Sequence, residues 1–240
     1  MDLLTTFAII CFTAIIHASF QLSVSTMTLM SGHALGRRTS FLRLQSLTSF
    51  FVIGVTVMTI LLLSTGCWLY LTIFRFAVPS LVWIGLCGLS VGVGISVSLF
   101  YYRGARGTVL WLPRSIAEYL TARSKRTKNP GEAFGLGCIS VLAELIFLFA
   151  PLSIASLTVL SLPASLQLAG MALYVVVSLV SLLAVMVLIG SGHKISSIQY
   201  WRERNKHFLQ YAAGAALIIL GFFIYVYAVL DLPPNLGMPS

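Results

Sequence analysis

Apolar residues in this chain do not alternate, and they do not recur on one face of a helix. They run on without interruption. Six stretches, at 3–30, 47–71, 76–102, 134–160, 166–189 and 208–230, are almost free of charge and end in polar or basic residues. Crossing a hydrocarbon core about 30 Å thick takes roughly 20 helical residues, so each stretch is long enough to span a bilayer. The predicted fold class is all-α, a polytopic membrane protein with six transmembrane helices. The first stretch has Asp2 as its only charge before His17 and is too long for a secretory leader, so it reads as a retained helix.

The charges between the stretches set an orientation. Arg37, Arg38 and Arg43 lie between spans one and two, and a run from Arg103 to Lys128 lies between three and four. Lys194, Arg202, Arg204 and Lys206 lie between five and six, which leaves Arg75 alone on the other side. Because cytoplasmic connections retain Lys and Arg, the basic side is inside and both termini face outward, across a cell inner (plasma) membrane. Composition agrees with this picture: 58% of residues are apolar and 9% charged, which excludes an ordinary soluble domain, a disordered chain and a coiled coil. The net charge of +9 is not a nucleic-acid footprint, since the basic residues are spaced by membrane spans and do not line one groove. The long connection interleaves Leu110, Trp111, Ile116, Tyr119 and Leu120 with Arg114, Arg123, Lys125 and Arg126. It is readable either as an interfacial helix or as a topogenic loop with an aromatic anchor.

Three spans, a basic linker and three more spans divide the chain into 1–102, 103–133 and 134–240. An odd number of crossings inverts the second half against the first. The first span of each half holds an ionisable group at mid-membrane depth, His17 in one and Glu144 in the other. Thr13, His17, Gln21, Ser25 and Thr28 form one polar stripe at helical period, which must face protein or water. An ionised Glu144 at the bilayer centre costs about 3 kcal/mol or more, so it is expected to be protonated, paired or in a wet cavity. Ser140, one turn before it, offers a hydroxyl on the same face. Pro151 leaves the carbonyl of Phe147 without its usual partner, which predicts a kink beyond Glu144.

These segments, His17-Ala-Ser-Phe-Gln21 with Ser31-Gly32-His33-Ala-Leu-Gly36-Arg37-Arg38, and Ala143-Glu144 through Pro151-Leu-Ser153, resemble the LysE/CcdA-like (DsbD transmembrane-type) superfamily. The resemblance implies small six-helix exporters or electron carriers built from two inverted three-helix units, with the working motif in the first helix of each unit. The thiol-carrying branch sets a Cys beside a Pro in those helices, and the lysine-exporter branch has a Pro-Gly-Pro-like break. Neither pattern occurs here.

The expected function is proton-coupled export of a small solute or cation through a central site of Glu144, His17, Gln21, Ser140 and Pro151. Its partners would be the lipid bilayer, the solute and protons, with no nucleic acid. Self-association or docking to a membrane partner stays open. No cofactor, metal or enzymatic activity is expected, since hydrolase, metalloprotease and P-loop signatures are missing. Two alternatives stand beside it: a thiol or electron carrier using Cys11, Cys67 or Cys87, and a non-catalytic subunit docking a partner through its basic inner face. The four cysteines, Cys138 included, are isolated and read as packing residues. Gly88 and Gly92 form a Gly-x-x-x-Gly pair, read as close packing within the chain in preference to dimerisation.

Overall fold

A computed structural model describes residues 3–20, 22–35, 41–75, 78–100, 114–191 and 195–230. Among these, regular structure is helical throughout: α1 (Leu3–Ser19), α2 (Leu22–Leu35), α3 (Phe41–Phe74), α4 (Ser80–Phe100), α5 (Arg114–Arg126), α6 (Pro130–Leu160), α7 (Ala164–Ser178), α8 (Val180–Gly190), α9 (Ile195–Arg204) and α10 (Lys206–Ile224). A π-helical stretch, Tyr225–Leu230, continues α10. Helices α3, α4, α6 and α10 are long and apolar enough to cross a membrane. The pairs α1 with α2 and α7 with α8 would add two more spans, bent by 40° and 48°. The protein is a multi-pass membrane bundle with four to six spanning helices.

Helix ends follow local chemistry. Arg75 closes α3 with a left-handed backbone (φ 52°) and an N–H that donates to the carbonyl of Leu71 at 2.9 Å. Pro130 opens α6, where its missing N–H costs nothing. Apolar continuity alone predicted single helices at 3–30 and 166–189, and both are interrupted. At each interruption a serine hydroxyl turns back onto the carbonyl three residues earlier, Ser19 onto Ile16 (2.7 Å) and Ser178 onto Val175 (2.9 Å). Such back-bonding competes with the helix ladder and bends helices. The N–H of Phe20 then closes onto His17 three residues back, at 3.1 Å. Helix α6, by contrast, continues unbroken through Pro151.

Packing is most extensive between α3 and α6 and between α4 and α10, followed by α1 against α7 and α6. The α3/α6 crossing is a backbone approach, since a methyl group on Gly54 or Gly137 would strike the carbonyl of Phe134 or Phe51. The Cys138 thiol donates to the carbonyl of Gly54 across the same crossing, at 3.4 Å. In the α4/α10 crossing, a methyl on Gly94 would stand 2.8 Å from the carbonyl of Gly214. The Gln210 amide also donates to the carbonyls of Val97 (3.0 Å) and Ser98 (2.8 Å). This corrects the reading of Gly88 and Gly92, where an added methyl would meet nothing within 4 Å. Both face away from the chain, and Gly94 makes the close contact.

The basic connection is helical over its second part. Helix α5 docks on α2 and α6 with Leu120 and Ser124 buried and Tyr119, Arg123, Lys125 and Arg126 exposed. Arg43 donates to the carbonyl of Lys128 at 3.0 Å, and the carboxylate of Glu132 accepts the N–H of Lys128 at 2.9 Å. Arg37, Arg38, Arg103, Arg106, Leu110, Trp111 and Lys194 lie outside the described residues.

Candidate functional site at a broken helix

The interruption between α1 and α2 sits against the middle of α6, and two buried ionisable groups, His17 and Glu144, meet there. His17 ends the polar face of α1 and Glu144 projects from α6, with Nε2 of the one 3.9 Å from Oε2 of the other. That separation suits an ion pair with room for adjustment and is too long for a direct hydrogen bond. Glu144 is 2% exposed and His17 6%, so the pair is shut off from the surroundings in this conformation.

Each partner is held from its far side. The other carboxylate oxygen of Glu144, Oε1, accepts the backbone N–H of Ser23 at 2.7 Å and its hydroxyl at 3.1 Å. Ser23 lies in the first turn of α2, where backbone N–H groups have no partner inside the helix and the dipole is positive. A carboxylate from another helix therefore caps the second half of the broken one. On the opposite side, Nδ1 of His17 lies 3.1 Å from the phenol of Tyr174, which is fully buried on α7. With the phenol donating, the neutral imidazole carries its proton on Nε2, toward Glu144; with Nδ1–H donating to the phenol oxygen, Nε2 faces Glu144 as an acceptor.

Ser140 does not reach Glu144. Its hydroxyl lies 3.1 Å from that of Ser23 and donates to the carbonyl of Gly137 at 2.8 Å. Since each hydroxyl carries one proton, the chain has two consistent arrangements. With Glu144 ionised, Ser23 donates to the carboxylate and Ser140 to the carbonyl of Gly137. With Glu144 protonated, the carboxyl donates to Ser23, Ser23 to Ser140, and Ser140 again to the carbonyl of Gly137. Tyr174, His17, Glu144, Ser23 and Ser140 thus form one line of proton-exchanging groups drawn from α7, α1, α6 and α2.

Of the residues singled out in the sequence, His17 and Glu144 are brought together and Ser140 stands one hydroxyl away. Pro151 is buried in α6 about two turns further on. Gln21 lies outside the described residues. The polar stripe of span one divides at the break: Thr13 hydrogen-bonds its own helix at Ile9 and Ile10, His17 joins the site, and Ser25 accepts from Arg202 on α9. Tyr174 and Ser23 were missed. Tyr174 had a usable signal, a phenol in the middle of an apolar run, which needs a partner there. Ser23 had none, because sequence read one continuous span there, whereas α1 ends at Ser19 and Ser23 lies in the first turn of a separate α2.

The cysteines are free thiols on separate helices, and Cys67 donates to the carbonyl of Ser156 at 3.6 Å. Compared with protein-family models, curated proteins and solved structures, the chain matches none.

Proposed function

We propose that the protein is a six-span transporter that exports a small solute or cation against protons, with Glu144 as the group that alternately carries a proton and takes part in solute binding. The observation that carries this reading is the carboxylate of Glu144 set between a histidine and the N-terminal turn of a half-helix. A discontinuous helix at membrane depth supplies charge-stabilising backbone groups, and ionisable residues placed there mark proton and substrate paths. His17, with Tyr174 behind it, and the Ser23–Ser140 hydroxyls give the proton a route on either side. Gln21 and the α6 segment at Pro151 complete the site.

The proposal includes two inverted three-helix halves with both termini outside, as in the superfamily that the sequence resembles. What supports the halves is the set of helix contacts. A two-fold axis exchanging spans one and four, two and five, and three and six must map every contact onto another. The contact of α3 with α6 maps onto that of α7 with α1, and α4 with α6 onto α10 with α1. The pairs α1 with α6 and α4 with α10 map onto themselves. Each of these contacts is present.

The test is Glu144→Gln in proteoliposomes with an entrapped pH dye, under imposed gradients of monovalent cations and small amino acids. The variant is expected to insert and fold as the parent does and to lose proton-linked flux. Full flux in Glu144→Gln removes that carboxylate from the mechanism.

A further inference from the structure

Helix α5 joins the spanning helices α4 and α6 without being apolar enough to span, and it is seated on the bundle along a narrow line. Ile116, Leu120 and Ser124 recur every fourth residue and so form one stripe. Leu120 and Ser124 are buried, and Ile116 packs on the same core cluster as Leu120. This stripe accounts for the docking of α5 on α2 and α6. Tyr119, Arg123, Lys125 and Arg126 remain exposed, as does Lys128 just beyond the helix. From Arg114 to Glu132 five basic residues stand against two acidic ones, Glu118 and Glu132.

The basic surface lies at one end of the spans. Arg43, in the first turn of α3, donates to the carbonyl of Lys128 at 3.0 Å, whereas Arg75 closes the far end of that long helix. Helix α9 also docks on α2, and it exposes Tyr200, Trp201 and Arg204. Membrane orientation requires basic residues in a connection and no more, since the rule counts charges. It does not require them on a helix held against the bundle, with an exposed phenol one turn before Arg123 on the same face. Tyr and Trp concentrate at headgroup depth, where an apolar ring and a polar edge are both satisfied. A soluble polyanion would match the charges and not the rings; the headgroup layer of a charged leaflet matches both.

We propose that α5 is a docking surface for anionic phospholipid headgroups, whose phosphates seat on Arg123, Lys125 and Arg126 beside the Tyr119 ring. Because α5 packs on α2, whose first turn holds Glu144, the contact ties the headgroup layer to the second half of the broken span. The surface needs neither proton exchange nor flux, so it stands or falls separately from the export reading.

The test is native mass spectrometry of the full chain in detergent, titrated with phosphatidylglycerol or with phosphatidylcholine of the same acyl chains, which resolves each bound lipid and its Kd. The first phosphatidylglycerol is expected to bind about fivefold more tightly than the first phosphatidylcholine, the ratio that one basic residue near a charged headgroup implies. In the combined variant Arg123→Gln, Lys125→Gln and Arg126→Gln the two lipids should bind within about twofold of each other. Arg75→Gln, an exposed arginine at the other end of α3, should keep the full preference. Equal affinity of the parent for both lipids, or a preference that survives the combined variant, overturns the proposal. So does loss of the preference in Arg75→Gln, which would make it a property of total charge. If the combined variant does not fold, Lys125→Gln with Arg126→Gln decides by the same criterion.

Discussion

The bundle contains two helix pairs that are built on opposite principles. Helices α3 and α6 are long, unbroken and pressed backbone to backbone at Gly54 and Gly137. Across the core, α1 also packs on α7, but each of these continues through a bend, into α2 at 40° and into α8 at 48°. Where the first pair meets through glycine backbone, the second meets through side chains, with Ile10 against Gly170 and His17 against Tyr174. A crossing with no side chain between backbones has a single arrangement, because any displacement opens a void or a clash. A crossing made of hydrogen bonds beside an interrupted helix can re-form in another register at modest cost. The close backbone packing makes α3/α6 the fixed frame of the bundle, and Glu144, rooted on it, caps the second half of the interrupted α1–α2 span.

The largest effect is therefore expected in the rigid pair. A side chain at Gly137 meets the backbone of Phe51 and Val55, which cannot rotate away, so the helices must separate. Gly137→Val should destabilise the folded protein by about 3 kcal/mol, the upper range for overpacking. The check is thermal or denaturant unfolding of detergent-solubilised protein. A variant as stable as the parent would mean that the α3/α6 crossing is not the fixed frame described above.

A smaller loss is expected at the joint of the bent pair. Tyr174→Phe keeps the ring and its packing and removes only the phenol that faces Nδ1 of His17 at 3.1 Å. One interhelical hydrogen bond contributes about 0.5–1.5 kcal/mol, and stability should fall by that amount. The 15N resonances of His17 sharpen the test, since loss of the phenol should shift Nδ1 specifically. An unchanged Nδ1 signal would show that the phenol does not hold the imidazole.

Sequence made the helical class and the apolar runs readable because lipid imposes length and continuity on any spanning segment, and those are composition-level signals. The positions of His17 and Glu144 at similar depth on separate spans were readable for the same reason. The interruptions were not. Ser19 and Ser178 look like any other serine in an apolar run, and their bonds three residues back do not set them apart either, since Ser140 and Thr48 make the same bond within continuous helices. Once span one is interrupted after α1, the stripe that sequence assigned to one face divides, with His17 at Glu144 and Ser25 accepting from Arg202. Pro151, which sequence marked for a kink, lies within the continuous helix α6, and both interruptions fall where no proline stands.

The smallest effect is expected on α4, where the sequence pattern and the packing part company. Gly88 and Gly92 carry the spacing associated with close helix approach, yet among the described residues no neighbour stands within 4 Å of a methyl group added at either. Gly94, outside that pattern, faces the carbonyl of Gly214 and the side chain of Ile218. Gly92→Ala should leave stability within about 0.5 kcal/mol of the parent, as for a surface substitution, with any change tending toward gain because alanine favours the helix. Gly94→Ala, two residues on, should cost about 1–3 kcal/mol by forcing α4 from α10. The two unfolding curves together decide which face of α4 the bundle uses, and a Gly92→Ala protein less stable than Gly94→Ala would reverse the assignment and place a neighbouring copy of the chain against the Gly88–Gly92 face.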